Sequence, residues 1–323
     1  MHQTWIIVAS LVVLGCGASP APLAPPPPRT VAAPAPERPP VATVVPEPAQ
    51  SPLPEQAPCD AGDLDACVDL AVRYADGTGV AKDPAKAIAL LQRTCAGGDL
   101  LGCTTLGIMY ERGLGVPVDA AKSAALYLTA CDRDWLAACH SLGGLLERGE
   151  GVVKDVPQAI VRYRKACTGK VFDACGALGE LYDEGTAVSQ NYKLAATHYQ
   201  QACDGGVMGY CNNLGRLYKY GRGVKKDLKR AATLYEHGCD GKDLMSCNSL
   251  GVLSENGMGV AVDYAKAKAL YETVCTGGEL LGCHNLGVLY SEGHGVPADP
   301  AQAAIWFKRA CDGGLADSCK AAK

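Results

Sequence analysis

Sixteen of the chain's 17 cysteines form eight pairs of one spacing, C-x7-C: Cys59/Cys67, Cys95/Cys103, Cys131/Cys139, Cys167/Cys175, Cys203/Cys211, Cys239/Cys247, Cys275/Cys283 and Cys311/Cys319. Paired thiols can bond to each other, hold a metal, or simply fill a core in a reducing compartment. Zinc motifs use shorter C-x(2–4)-C spacings and usually histidines, whereas only Cys139-His140 and Cys283-His284 put a histidine beside a cysteine. There is no C-x-x-C-H for covalent haem. Disulfides are therefore the expectation, with no metal and no cofactor. A single helix through residues 95–103 would hold its two cysteine Cα atoms roughly 12 Å apart, and a disulfide needs about 4.4–6.8 Å. The chain must reverse between them. Gly97-Gly98, Gly205-Gly206, Gly277-Gly278 and Gly313-Gly314 permit that, and two further pairs enclose Gly-Lys. Glycine just after a helix supplies a left-handed residue at no steric cost.

The elements that position the cysteines repeat with them. First cysteines are 36 residues apart throughout, without insertion or deletion. A fixed period of this size predicts a stacked-repeat protein. Seven complete units run from Cys59 to Ala310 and a short eighth starts at Cys311. Leucine holds the twelfth place of each full unit (Leu70 through Leu286) and glycine the thirteenth in six of them, with Ala71 in the first. Glycine inside a helix costs about 1 kcal/mol relative to alanine, so its recurrence predicts close helix–helix approach. A G-x-G-V turn follows, altered only at Gly185-Thr186-Ala187-Val188, where a local distortion is expected. No Lys-Ser/Thr follows it, so it is a turn between helices rather than a phosphate loop. Asp83, Asp119, Asp155, Asn191, Asp227, Asp263 and Asp299 stand where N-caps belong. Pro84 and Pro300 occupy the first helical position. The second helix pairs a small residue such as Ala231 with a large one four places on (Leu91, Tyr127, Tyr163, Tyr199, Tyr235, Tyr271, Phe307), expected to be core packing.

The motif L-G-x-x-Y-x-x-G-x-G-V-x-x-D-x-x-x-A at this period resembles the Sel1-like repeat, a relative of the tetratricopeptide repeat. Units with C-x7-C pairs are similar to the cysteine-rich Helicobacter proteins of that class. The resemblance covers residues 59–323 and implies an all-α fold. It would be a right-handed α/α solenoid of seven 36-residue helix-turn-helix repeats plus a short terminal helix, disulfide-stapled, with a concave binding face.

Residues 1–15 read as an export segment: an apolar run, Ile6–Leu14, ends at Gly15 before Cys16. The run is too short for an ordinary membrane span. Val13-Leu14-Gly15-Cys16 resembles the lipoprotein lipobox, which implies lipidation of Cys16, a membrane anchor, and periplasmic or outer-membrane residence; plain secretion is the alternative. Cys16 is also the one cysteine outside the eight pairs. Residues 16–58 then form a proline-rich tether, with 15 of the chain's 20 prolines between 18 and 58. Forty-one residues at about 3.1 Å each would reach roughly 130 Å if fully extended.

The formal charge is −4, from 30 basic and 34 acidic residues mixed along the units, with no basic stripe for nucleic acid. On a helical wheel the tenth, eleventh and fourteenth places of the first helix lie opposite its core positions. They hold Asn212, Asn213 and Arg216, then Asn248 and Ser249, then His284 and Asn285; earlier units offer Thr104/Thr105 and His140/Ser141. Asparagine amides pair with both groups of an extended main chain, so the expected partner is an unidentified protein or peptide. A solvated helix face is the alternative. The cysteine-rich relatives bring a second possibility, binding or hydrolysis of β-lactams. S-x-x-K, S-D-N, K-T-G and H-E-x-x-H are all absent, so no catalytic residue is assigned.

Overall fold

The computed structural model describes residues 55–322; the export segment, Cys16 and nearly all of the proline-rich tether lie outside that range. Among the described residues are sixteen α-helices and no strand. Residues up to 118 form one compact body and residues from 119 a second. The first holds α1 (Gln56–Asp60), α2 (Leu64–Asp76), α3 (Pro84–Ala96) and α4 (Leu100–Arg112). The second holds α5 (Ala120–Asp132), α6 (Leu136–Arg148), α7 (Val156–Thr168), α8 (Phe172–Glu184), α9 (Tyr192–Asp204) and α10 (Gly209–Tyr220). It continues with α11 (Leu228–Asp240), α12 (Leu244–Asn256), α13 (Tyr264–Thr276), α14 (Leu280–Glu292), α15 (Pro300–Asp312) and α16 (Ala316–Ala321). Sequential helices pack as antiparallel neighbours in each body.

The second helices begin on the caps the sequence marks, and the first helices end at its turn glycines. All seven expected caps accept a backbone N–H at the third helical residue of a second helix, as Asp83 does from Lys86 at 3.1 Å and Asn191 from Leu194 at 3.1 Å. First helices end on a left-handed glycine, Gly113 at φ 69° being typical. The turn of the fourth unit departs as its Ala187 foretold. The second turn glycine is left-handed elsewhere (Gly223, φ 67°), but Ala187 is not among the positive-φ residues. A side chain in that place would collide with the main chain of the preceding second helix, since a Cβ on Gly259 would lie 2.4 Å from Leu228 carbonyl atoms.

The expected disulfides are all present, each closed within its own pair. Cys59 is bonded to Cys67, Cys95 to Cys103, Cys131 to Cys139 and Cys167 to Cys175. Cys203 is bonded to Cys211, Cys239 to Cys247, Cys275 to Cys283 and Cys311 to Cys319. The Cα–Cα distances are 4.5–4.8 Å. Each bond joins the end of one helix to the start of the next unit's first helix. The second cysteines enter through the first turn: Cys67, Cys103, Cys175 and Cys247 are each the fourth residue of their helix, and all four are buried. They act as structural staples, largely shielded from solvent except at the last pair, where Cys311 and Cys319 are both only half-buried.

The reversal between the cysteines differs from expectation in one respect. Gly97 is right-handed (φ −72°) and the following Gly98 carries the left-handed conformation (φ 89°). The first glycine is needed for space instead: a Cβ on Gly205 would fall on the Phe172 ring, and one on Gly277 would lie 2.5 Å from Leu244 Cδ1. Three units place Asp134, Lys170 or Lys242 in the left-handed position, at φ 64–68°.

Small and large core residues meet as the pattern required. A Cβ on Gly215 would lie 2.5 Å from the Tyr235 ring, and Cβ atoms on Gly251 and Gly287 would lie 2.6 Å from Tyr271 and Phe307. The ring therefore sits directly on the glycine. In the first unit the same place pairs Ala71 with Leu91, both fully buried, so the larger floor meets a smaller lid.

Candidate functional site

The amide-bearing face belongs to α10, α12 and α14, the first helices of units five to seven. Asn212, Asn213, Asn248, Ser249, His284 and Asn285 are half-buried, and Arg216 is exposed. They do not form the fully solvated face the helical wheel suggested, because successive first helices pack side by side and bring these places to the seam between them. There they hydrogen-bond in a ladder. Ser249 Oγ donates to Asn212 Oδ1 at 3.0 Å, and Asn285 Nδ2 donates to Asn248 Oδ1 at 2.8 Å. Both steps span 37 residues, from the tenth place of one unit to the eleventh of the next. His284 continues the series by pairing its Nδ1 with Ser318 Oγ at 2.8 Å.

The ladder uses only part of each amide's capacity. An asparagine side chain offers two donors and two acceptor sites. Asn213 spends none of them on another side chain among the described residues, and the Asn248 and Asn212 NH2 groups and the Asn285 carbonyl keep capacity for a ligand. Arg216 is tied sideways. It forms an ion pair with the buried Asp183, which also accepts from Tyr199 Oη at 3.2 Å. Burial and the Asp183 charge push the Tyr199 phenol well above its ordinary range.

That contact belongs to a second regular feature, which sequence reading misses. A buried tyrosine at place 33 donates to a carboxylate at place 17: Tyr163 to Glu147 and Tyr271 to Glu255, each at 2.8 Å, and Tyr199 to Asp183. Burial first and then the adjoining carboxylate hold all three hydroxyls protonated far above the usual tyrosine range. Small-against-large patterning accounts for the rings alone; the acid sixteen residues upstream is the signal for the hydroxyls. A third regularity is equally local. Basic residues at place 35 reach back to the carbonyl of the unit's first cysteine: Arg93 to Cys59 at 3.2 Å, Lys165 to Cys131 at 2.8 Å and Arg309 to Cys275 at 3.4 Å. A cation there satisfies an otherwise open carbonyl at a helix C-terminus.

Neither Ser249 nor Ser318 stands in a hydrolytic arrangement. Ser249 donates to an amide, and the Ser318 hydroxyl beside His284 is fully buried, out of reach of a substrate. His237 lies within 4.8 Å of the Cys203 and Cys211 sulfurs, but these are bonded to each other and are not thiolate ligands. No helix among the described residues is long and apolar enough to cross a membrane.

Comparison with known proteins agrees with this architecture. The Sel1 repeat model matches at residues 64–99, 101–135, 136–170, 172–207, 210–243, 244–278 and 280–315. No curated protein matches the chain. Among solved structures, the Escherichia coli protective antigen c5321, with an SLR fold, is 26% identical over 82% of this chain, with a TM-score of 0.73. The chain spans only 56% of that protein's length. A Sel1 repeat protein from Oxalobacter formigenes is 31% identical over 70% of this chain and 93% of its own, with a TM-score of 0.64. The Helicobacter pylori cysteine-rich protein B is 29% identical over 41% of this chain and 96% of its own, with a TM-score of 0.35. Sel1 repeat scaffolds typically serve protein–protein interaction, and eight disulfides suit an exported protein. With its motif matched seven times along a disulfide-stapled stack of helical hairpins, the chain belongs to the Sel1 repeat family.

Proposed function

We propose that this protein is an exported interaction scaffold, anchored through lipidated Cys16 and its proline-rich tether, that binds an extended segment of a partner protein along the seam of α10, α12 and α14. The observation that carries this reading is the 37-residue ladder, Ser249 to Asn212 and Asn285 to Asn248, which fixes amides in one orientation across successive units. Amides already held in place lose little side-chain freedom on binding, so more of each hydrogen bond appears as affinity. Each net bond contributes about 0.5–1.5 kcal/mol, and several in a row give useful affinity with little sequence preference.

The ladder separates binding from folding. Asn213 makes no side-chain bond to lose, so Asn213→Ala should move stability by less than about 0.5 kcal/mol while weakening partner binding. Asn285→Ala also removes the bond to Asn248 and should cost about 1 kcal/mol of stability. Isothermal titration of the partner against both variants, beside urea melts, checks the pair. Wild-type affinity in both would overturn the assignment. For the anchor, Cys16→Ser should release the protein from membranes; a mature N-terminus elsewhere, without added lipid mass, would exclude lipidation.

A further inference from the structure

The charges are well mixed in the chain as a whole but not in the fifth unit. Residues 216–230 contain seven Lys or Arg and one acid, Asp227, whereas the remaining described residues carry 31 acids against 20 bases. The cluster occupies the end of α10, the turn and the start of α11, and it replaces what other units put in the same places. Lys219 stands at the place held by Glu147, Asp183 and Glu255, and Tyr235 lacks the carboxylate partner that Tyr163, Tyr199 and Tyr271 possess. Lys225-Lys226 stands where Val153-Lys154, Ser189-Gln190 and Ala261-Val262 stand elsewhere.

These cations are not neutralised within the protein. Arg216 pairs with Asp183 and Arg230 donates to Gln200 at 3.2 Å, but Lys219, Arg222, Lys225, Lys226 and Lys229 have no carboxylate partner among the described residues. Tyrosine faces hold several of them in place instead: Arg222 lies 5.6 Å over Tyr192 and 5.5 Å over Tyr220, and Arg230 lies 5.2 Å over Tyr218. Tyr220 is itself 56% exposed. Lys225, Lys226 and Lys229 line an open hollow of about 610 Å³ together with Tyr218 and the helix cap Asp227.

We propose that this edge of the fifth unit is a docking surface for a short acidic segment of a partner protein, its carboxylates meeting Arg222, Lys225, Lys226 and Lys229. The narrowness of the patch favours a peptide over a membrane. Helices pack about 8–10 Å apart, and the Debye length near physiological salt is about 8 Å. Asp227 within the patch, and Asp263 at the equivalent cap of the next second helix, would thus be pressed within reach of a flat anionic surface and repelled. A single strand touches the patch alone. The proposal is independent of the amide seam, since it needs none of the asparagines.

The test measures fluorescence anisotropy of a labelled 12-residue oligoglutamate with the purified, oxidised full chain, an oligoglutamine of equal length being the neutral control. Oligoglutamate should bind at least tenfold more tightly than oligoglutamine, and the binding should weaken steeply as salt rises. Lys225→Glu/Lys226→Glu/Lys229→Glu should abolish the preference. The Lys→Gln triple variant at the same positions should lose at least fivefold, which covers any misfolding caused by charge reversal. Asn213→Ala/Asn285→Ala should bind oligoglutamate as the wild type does, so failure of the amide seam would leave this result intact. The control Lys266→Glu/Lys268→Glu/Lys308→Glu makes the same change in net charge elsewhere; equal loss there would reduce the effect to overall charge and overturn the site. Full binding by the Lys225/Lys226/Lys229 variants would overturn it too. So would tighter binding to phosphatidylglycerol vesicles or to a 12-nucleotide DNA than to oligoglutamate.

Discussion

At the scale of residues, the fold depends on pairs that only make sense together. Gly251 exists because the Tyr271 ring lies on it, and Ala71 is tolerated in the first unit because its lid is Leu91. Gly251→Ala should therefore cost about 1–3 kcal/mol by overpacking. Gly251→Ala/Tyr271→Leu should cost clearly less than the sum of the two single changes, by about 1 kcal/mol or more. Urea melts of the cycle measure this, and strict additivity would mean that the two residues do not share the contact. The tyrosine hydroxyls make a second test. Their folded-state pKa values lie above the unfolded value of about 10, with Tyr235 raised by burial to about 12. The unfolded chain thus releases these protons first, so the stability they confer is complete below pH 10 and declines as pH rises beyond it. Spectrophotometric titration at 295 nm should find tyrosines that ionise late in the native protein and promptly in urea. Replacing Tyr163, Tyr199, Tyr235 and Tyr271 by Phe should flatten the alkaline loss of stability.

At the scale of elements, helix boundaries and turns were legible because their determinants are local. An Asp three residues before the N–H it caps, or a glycine where φ must be positive, needs no knowledge of distant chain. The G-x-G-V lesion at Ala187 could be read in the same way. So could the staples, since Cys67, Cys103, Cys175 and Cys247 each find their partner eight residues upstream across a single reversal. The left-handed place after each second helix makes a prediction of its own. Asp134, Lys170 and Lys242 adopt a conformation that costs a side-chain-bearing residue about 1–2 kcal/mol. Lys242→Gly should stabilise the protein by several tenths to about 1 kcal/mol once glycine's own backbone entropy is subtracted, which a rise in melting temperature would show. The ladder was not legible. The asparagines could be found as a group, but the pairing of place ten with place eleven of the next unit depends on how two first helices are offset across their seam, which one unit's sequence does not contain. The same neighbour contact turned an expected open face into a half-buried one. The basic edge of the fifth unit was hidden for another reason: a balanced total charge conceals a local excess.

At the scale of the whole molecule, a repeat protein's stability is roughly a sum of unit and nearest-neighbour terms, with staples added at each junction. Closing a nine-residue loop contributes about 2.5 kcal/mol in the chain-entropy model. Removing Cys203–Cys211, which holds α9 to α10 inside the second body, should destabilise more than removing Cys311–Cys319, where only the six-residue α16 depends on the bond. Denaturant melts of the two double Cys→Ala variants would show the order, and peptide mapping under non-reducing conditions should return eight pairs with no cross-links between them. The central claim concerns which face meets a partner. A photo-crosslinking residue placed at Asn213, on the amide seam, and another at the exposed Thr129, on α5 and away from both the seam and the basic edge, decide it directly in the native cell envelope. The account predicts a discrete crosslinked partner from position 213 and none from position 129; crosslinks from position 129 alone would contradict it.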